Sequence, residues 1–151
     1  MTDDRSQIPF LKDLLQHPRK HWAYRKRELR KALAKLGDKD SFGEIVNEMK
    51  NPDPAVQSSA IEDLTYVSGK DSIRELANLL DDGKRRAIPE IGYLPLCFEA
   101  VSALDHIVLN PPVHLAVHPM PAGVREMKKM PTQEDVEKWR LWWKENKSKY
   151  E

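Results

Sequence analysis

The sequence predicts an all-α protein, a short α-solenoid of about three helix pairs closed by a C-terminal helix. Three observations carry this. Apolar residues recur with the 3.6-residue period of amphipathic helices, and no strand-like alternation persists. Lys39-Asp40-Ser41-Phe42 returns as Lys70-Asp71-Ser72-Ile73, 31 positions on. At the same offset Glu44 meets Glu75, Ile45 meets Leu76, Asn47 meets Asn78 and Met49 meets Leu80. Self-similarity at a period of about 20 to 50 residues marks architectures whose repeats bury their apolar faces on one another. Finally, His17-Pro18, Gly37, the Asn51-Pro52-Asp53-Pro54 corner and Asn110-Pro111-Pro112 fall between the periodic segments, where helices must stop.

Taken in order, Ile8, Leu11, Leu14 and Leu15 predict a short helix over about 8–16, broken by Pro18. A longer helix is expected from Arg19 to Leu36, with Gly37 as its left-handed C-terminal cap. Trp22, Leu29, Leu33 and Leu36 share one arc of it, and Arg19, Lys20, Arg27, Arg30, Lys31 and Lys35 spread over the other side. The next pair is expected at about 41–50 and 55–67. Val56, Ala60, Leu64 and Val67 face inward in the second of these helices, and Ser58, Glu62, Thr65 and Tyr66 face outward.

A third pair begins at Ser72, a plausible N-cap, and its first helix ends near Leu80. Leu64 then finds its counterpart in Leu104, 40 positions on, as Ala60 does in Ala100 and Val67 in Ile107. About nine extra residues must therefore lie within Asp82–Pro95, which reads as a loop. Five prolines between 111 and 131 exclude a regular helix there. A last helix starts at Thr132, with Asp135 three residues on in a capping-box pattern, and carries Val136, Trp139, Trp143, Asn146 and Tyr150 on one face.

At 151 residues the chain suits one domain, burying about 70% of its unfolded surface. Its 40% hydrophobic and 32% charged residues fit an ordered, helix-rich chain with charged outer faces. The net charge of +1 conceals a polarity. Residues 1–39 hold eleven Lys/Arg against five Asp/Glu, 40–110 hold six against thirteen, and 111–151 hold eight against six. The single cysteine, Cys97, excludes an internal disulfide and a cysteine-rich metal site. No run reaches the roughly 18 apolar residues of a membrane span, and Met1-Thr2-Asp3-Asp4 does not open a signal peptide, so the expected location is cytoplasmic.

Asp53-Pro54-Ala55-Val56, followed by Ala60 and Leu64, resembles the inner corner and second helix of HEAT repeats, and Ile45, Val46 and Met49 resemble their first helix. The likeness covers about residues 8–108 and implies a right-handed solenoid. It divides the chain into HEAT-like repeats over 1–110, a Pro-rich connector over 111–131 and a Trp-rich capping helix over 132–151, all in one structural domain. HEAT repeats often carry an arginine directly after the valine, which joins a polar ladder to the next repeat. Here that position holds Gln57, with Lys26 and Cys97 at equivalent places, so the chain departs from the pattern. The cluster of Trp139, Trp142, Trp143 and Asn146 looks like a tail that follows some bacterial HEAT-like arrays.

In HEAT-type stacking the second helix of each pair lines a concave side. The repeat offsets then set Arg27, Ser58 and Phe98 in one rung, Lys31, Glu62 and Ser102 in the next, and Lys35, Tyr66 and His106 in a third. This groove would run from a basic to an acidic and aromatic end and suit a protein or peptide of mixed charge. The expected function is a non-enzymatic interaction or scaffold module with no cofactor. The alternative is a nucleic-acid-binding protein akin to HEAT-like DNA glycosylases, gripping phosphates through the basic helix, although Glu62, Asp63 and Asp105 would oppose a uniform polyanion. A lyase role, as in HEAT-like proteins that handle bilin pigments, ranks third. HEAT-like hydroxylases hold iron with His-Glu pairs, and no histidine here precedes a glutamate. His114 and His118 have the spacing of a helical metal pair but lie among prolines, without a third ligand. His106 shows no partner for general-base work, and Cys97 reads as a small packed residue. The tryptophans read as a cap over an exposed apolar end, and otherwise as an aromatic cage.

Overall fold

The protein is described from a computed structural model, which covers residues 5–16, 25–83, 85–88, 92–115 and 130–151. The described chain is all-α apart from one small hairpin, and it divides into two compact units, 1–68 and 69–151.

The first unit contains α1 (Ile8–Gln16), α2 (Lys26–Lys35), α3 (Lys39–Glu48) and α4 (Pro54–Val67). α2 packs against all three others and α3 also packs against α4. Its apolar stripe, Leu29, Leu33 and Ala34, closes on Ile45 and Met49 from the second pair's first helix and on Ala60, Ile61, Leu64 and Val67 from α4. Burial of each leucine, isoleucine, valine or methionine side chain here contributes about 1.5–3 kcal/mol, and of each alanine methyl about 0.8 kcal/mol.

Local chemistry sets the corners. Gly37, at φ +92°, lets α2 end in a Schellman turn, in which the Gly37 amide donates to Ala34 O and the Asp38 amide to Leu33 O, both at 3.0 Å. Asp38 then caps α3, accepting from the Ser41 amide at 3.0 Å. α3 therefore begins two residues before the expected Ser41, and Ser41 itself is buried. Asp53 caps α4 through the Ala55 amide, and Pro54 opens the helix one residue before the expected Ala55. α2 starts at Lys26 among the described residues, and the expected stretch from Arg19 through Tyr24, with Trp22, lies outside them.

The second unit contains α5 (Lys70–Ala77), which tightens into a 3-10 turn over Asn78–Asp81, then α6 (Leu96–Ile107) and α7 (Gln133–Asn146). Ser72 does not cap α5. The helix starts at Lys70, and Ser72 is fully buried with its hydroxyl unpartnered. The insertion expected as a loop contains β1 (Arg85–Ile88) and β2 (Gly92–Pro95), an antiparallel pair with Arg85 opposite Pro95 and Ile88 opposite Gly92. β2 runs directly into α6, so the extra residues form a ribbon leading to that helix.

α6 packs against α5, the 3-10 turn and α7. Leu96, Ala100, Val101 and Leu104 are sealed in this core with Leu76, Leu80, Val136 and Trp139. The predicted capping box opens α7: Thr132 Oγ1 accepts from the Asp135 amide at 3.2 Å, and Asp135 Oδ2 accepts from the Thr132 amide at 2.8 Å. Arg140 secures the helix to the 3-10 turn, donating to Leu80 O at 2.8 Å and pairing with Asp81 at 2.9 Å. The middle of the expected Pro-rich connector lies outside the described residues.

Candidate functional site

The repeat of basic residues four apart on α2, Arg27, Lys31 and Lys35, makes one stripe of the helix. In the first unit this stripe lies along α4, and each member meets a group there. Arg27 Nε donates to Asp63 Oδ1 and Oδ2 at 2.9 and 3.0 Å, while its Nη2 donates to Ser59 O at 2.8 Å and to Glu62 Oε2 at 3.1 Å. Lys31 pairs with Glu28 at 2.9 Å and lies 4.0 Å from Asp63. Lys35 donates to Tyr66 O at 2.9 Å. The ammonium groups of Lys31 and Lys35 sit 5.0 and 4.4 Å from the centroid of the Tyr66 ring, within cation–π range.

Asp63 has no solvent exposure, and Arg30 Nη2 approaches it at 3.7 Å as well. The hydrogen bond to Asp63 is the main reason the Arg27 pKa lies above its ordinary value, against the opposing cost of burial. The ammonium of Lys31, donating to Glu28, holds that carboxyl below its ordinary range. Arg27 and Lys31 are thus neutralised locally, while Lys35 meets only the carbonyl and ring of Tyr66 among the contacts described. Outward it presents Arg27, Glu62, Lys35 and Tyr66 in alternation, with Tyr66 47% exposed.

On another side of α2, Arg30 forms a two-point pair with Glu48 of α3, at 2.6 and 2.7 Å. This pair forms part of the wall of an open pocket of about 460 Å³, lined also by Leu15, Lys26, Arg27, Glu44 and Ser59. The pocket belongs wholly to the first unit.

The remaining expected residues fall out differently. Ser58 is buried rather than outward, as is its neighbour Gln57, whose Nε2 donates to Met49 O at 2.7 Å and ties α4 to the end of α3. Phe98, Ser102 and His106 lie on α6 in the second unit, the first two half-buried and His106 exposed. Cys97 is buried, and burial pushes its thiol pKa up, away from reactivity. His114 is exposed, and His118 lies outside the described residues, among which no group of metal-ligating side chains gathers. Trp142, Trp143 and Tyr150 form a half-exposed cluster with ring centroids 5.8 to 6.5 Å apart, beside the buried Trp139.

Asp63 is the important residue missing from the expected set. Its signal was present: it lies three residues after Ala60 and four before Val67, both buried, so helical spacing sets it on the inner arc. Comparison with protein families, with curated proteins and with solved structures returned no match for the chain. No helix among the described residues is long and apolar enough to cross a membrane.

Proposed function

We propose that the chain is a non-enzymatic interaction module that binds a protein or peptide segment of mixed charge on the α2–α4 face. The observation that carries this reading is the interleaving of Arg27, Glu62, Lys35 and the exposed Tyr66 on one surface. An aromatic ring flanked by both signs of charge fits a partner that supplies one apolar anchor and complementary charges. The HEAT-like architecture, a short right-handed α-solenoid, belongs to the same proposal. Its support is the packing of helices as sequential pairs, α1 with α2, α3 with α4, and α5 with α6.

Nucleic acid ranks second because Arg27 and Lys31, two of the three stripe residues that would meet phosphates, are already paired with Glu62, Asp63 and Glu28. Selection from a random peptide display library tests the proposal. Enriched peptides should carry both charges and an aromatic or large apolar residue, and should lose affinity for the Tyr66→Ala and Lys35→Glu variants. Enriched peptides that bind both variants as they bind the parent would overturn it. A gel shift with duplex DNA that persists at physiological salt would favour the second reading instead.

A further inference from the structure

We infer that the pocket between α2 and α3 is a binding site for a small zwitterion of dipeptide size, with its carboxylate at Lys26 and its ammonium at Glu44. The inference does not rest on the α2–α4 peptide reading, although Arg27 and Ser59 of that face also line the pocket. Its volume of about 460 Å³ falls within the range of roughly 300–1,000 Å³ typical of small-molecule sites.

The charges around the pocket divide into engaged and available groups. Arg27 is occupied by Asp63 and Glu62. Arg30 and Glu48 satisfy each other through two short hydrogen bonds. Both guanidinium groups are thus already held by carboxylates of the protein. Lys26 makes no ion pair or hydrogen bond with a described residue. Glu44 lies 4.0 Å from Arg30 Nη1, beyond hydrogen-bond distance, and is 63% exposed. Around the same space, with Leu15 of α1 as an apolar wall, lie Lys26 on α2 and Glu44 on α3, the latter held among the described residues only by its longer ion pair with Arg30.

A simple anion would be drawn to Lys26 and repelled by Glu44, and a simple cation the reverse. A molecule that carries both charges satisfies both. A short apolar side chain between them would meet Leu15.

Titration of the full chain with the dipeptide Ala-Leu, followed by backbone amide NMR, tests the inference. Saturable shifts confined to residues of α2, α3 and the end of α1 are expected, with a Kd below about 10 mM. N-acetyl-Ala-Leu and Ala-Leu amide should each bind about tenfold more weakly, since each lacks one charged contact. In Glu44→Gln the acetylated and free peptides should bind alike, and in Lys26→Gln the amidated and free peptides should. Both side chains are on the surface, so both variants should retain the parent spectrum elsewhere. Absence of saturation, equal binding of the blocked peptides to the parent, or variants that leave the selectivity intact would each overturn the assignment.

Discussion

Arg27 and Asp63 meet side by side, the guanidinium presenting Nε and Nη2 to a carboxylate that water does not reach. Removing the guanidinium strands a buried negative charge. Breaking a fully buried pair typically costs about 3–5 kcal/mol. Here Arg27 is 41% exposed, and Arg30 and Lys31 remain within 4.0 Å of Asp63. Arg27→Met is therefore expected to lower stability by about 2–3 kcal/mol, read from urea unfolding followed by circular dichroism. A loss within about 0.5 kcal/mol, the scatter of ordinary surface changes, would mean that Asp63 is held by its other neighbours.

Asp38 supplies a pH dependence whose sign is fixed. Burial tends to raise its pKa, but hydrogen bonds from Lys12 and from the Ser41 amide outweigh it and hold the carboxyl below its ordinary value of 3.8. A carboxylate depressed in the folded state contributes stability that is present above the unfolded pKa and lost as pH falls through the folded one. Stability should therefore decline below about pH 4, where Lys12 releases α1 from α3 and the α3 cap is lost. Asp38→Asn should show a shallower decline in melting temperature over the same range, and an unchanged slope would remove Asp38 as its source.

Trp139 and Trp143 share α7 but should differ sharply in cost. Trp139 is fully buried, so Trp139→Ala should destabilise the second unit by about 3–5 kcal/mol. Trp143 is half-exposed against Trp142 and Tyr150, and its replacement by alanine should cost about 1 kcal/mol. Differential scanning calorimetry of both variants checks the order. Equal costs would show that the outer aromatic cluster carries as much of the packing as the buried indole.

The structure also changes which binding variants are informative. Charge reversal at Arg27 would damage the fold before it tested recognition, because that side chain serves Asp63. Lys35→Glu, at an exposed site, should slow association with a selected mixed-charge peptide and alter its salt dependence. Tyr66→Ala should mainly speed dissociation, by about tenfold if the ring is the anchor. Stopped-flow and surface-plasmon measurements separate the two effects.

Ser68 occupies φ +52° with ψ 169°, a region that essentially suits glycine alone. Ser68→Gly should relieve that strain and raise stability by up to about 1 kcal/mol, after the greater entropy of the unfolded glycine is subtracted. Equilibrium denaturation with an unchanged or lower midpoint would show that the strain is not realised in solution.

What was legible in the sequence depended on how local its cause was. Gly37 and Thr132 with Asp135 are legible because a cap is decided by neighbours within a few residues, whereas the Asn51–Pro54 corner marks the break without marking Asp53 as the cap. The start of α3 slipped because Ser41, itself a good cap, donates its amide to Asp38 instead. Ser58 and Asp63 were misread or passed over because polar residues are assigned outward by pattern, whereas Asp63 is buried by an arginine 36 residues away. The hairpin escaped because two strands of four residues are too short to show alternation. The repeat offsets single out Lys31 and Lys35, but their shared contact with Tyr66 needs the packing of α2 on α4.

The Arg140 clamp has a consequence for how the chain is made. It joins residues 60 positions apart, and α7 must be present to form it. The Arg27–Asp63 pair needs only 36, and every helix that packs around α2 is complete by residue 67. On a translating ribosome the first unit can therefore close while the second is still being synthesised. Leu80 O then waits in water, or in a chaperone's grip, until Arg140 leaves the exit tunnel. The direction of synthesis thus lets the contacts of the first unit form before those of the second.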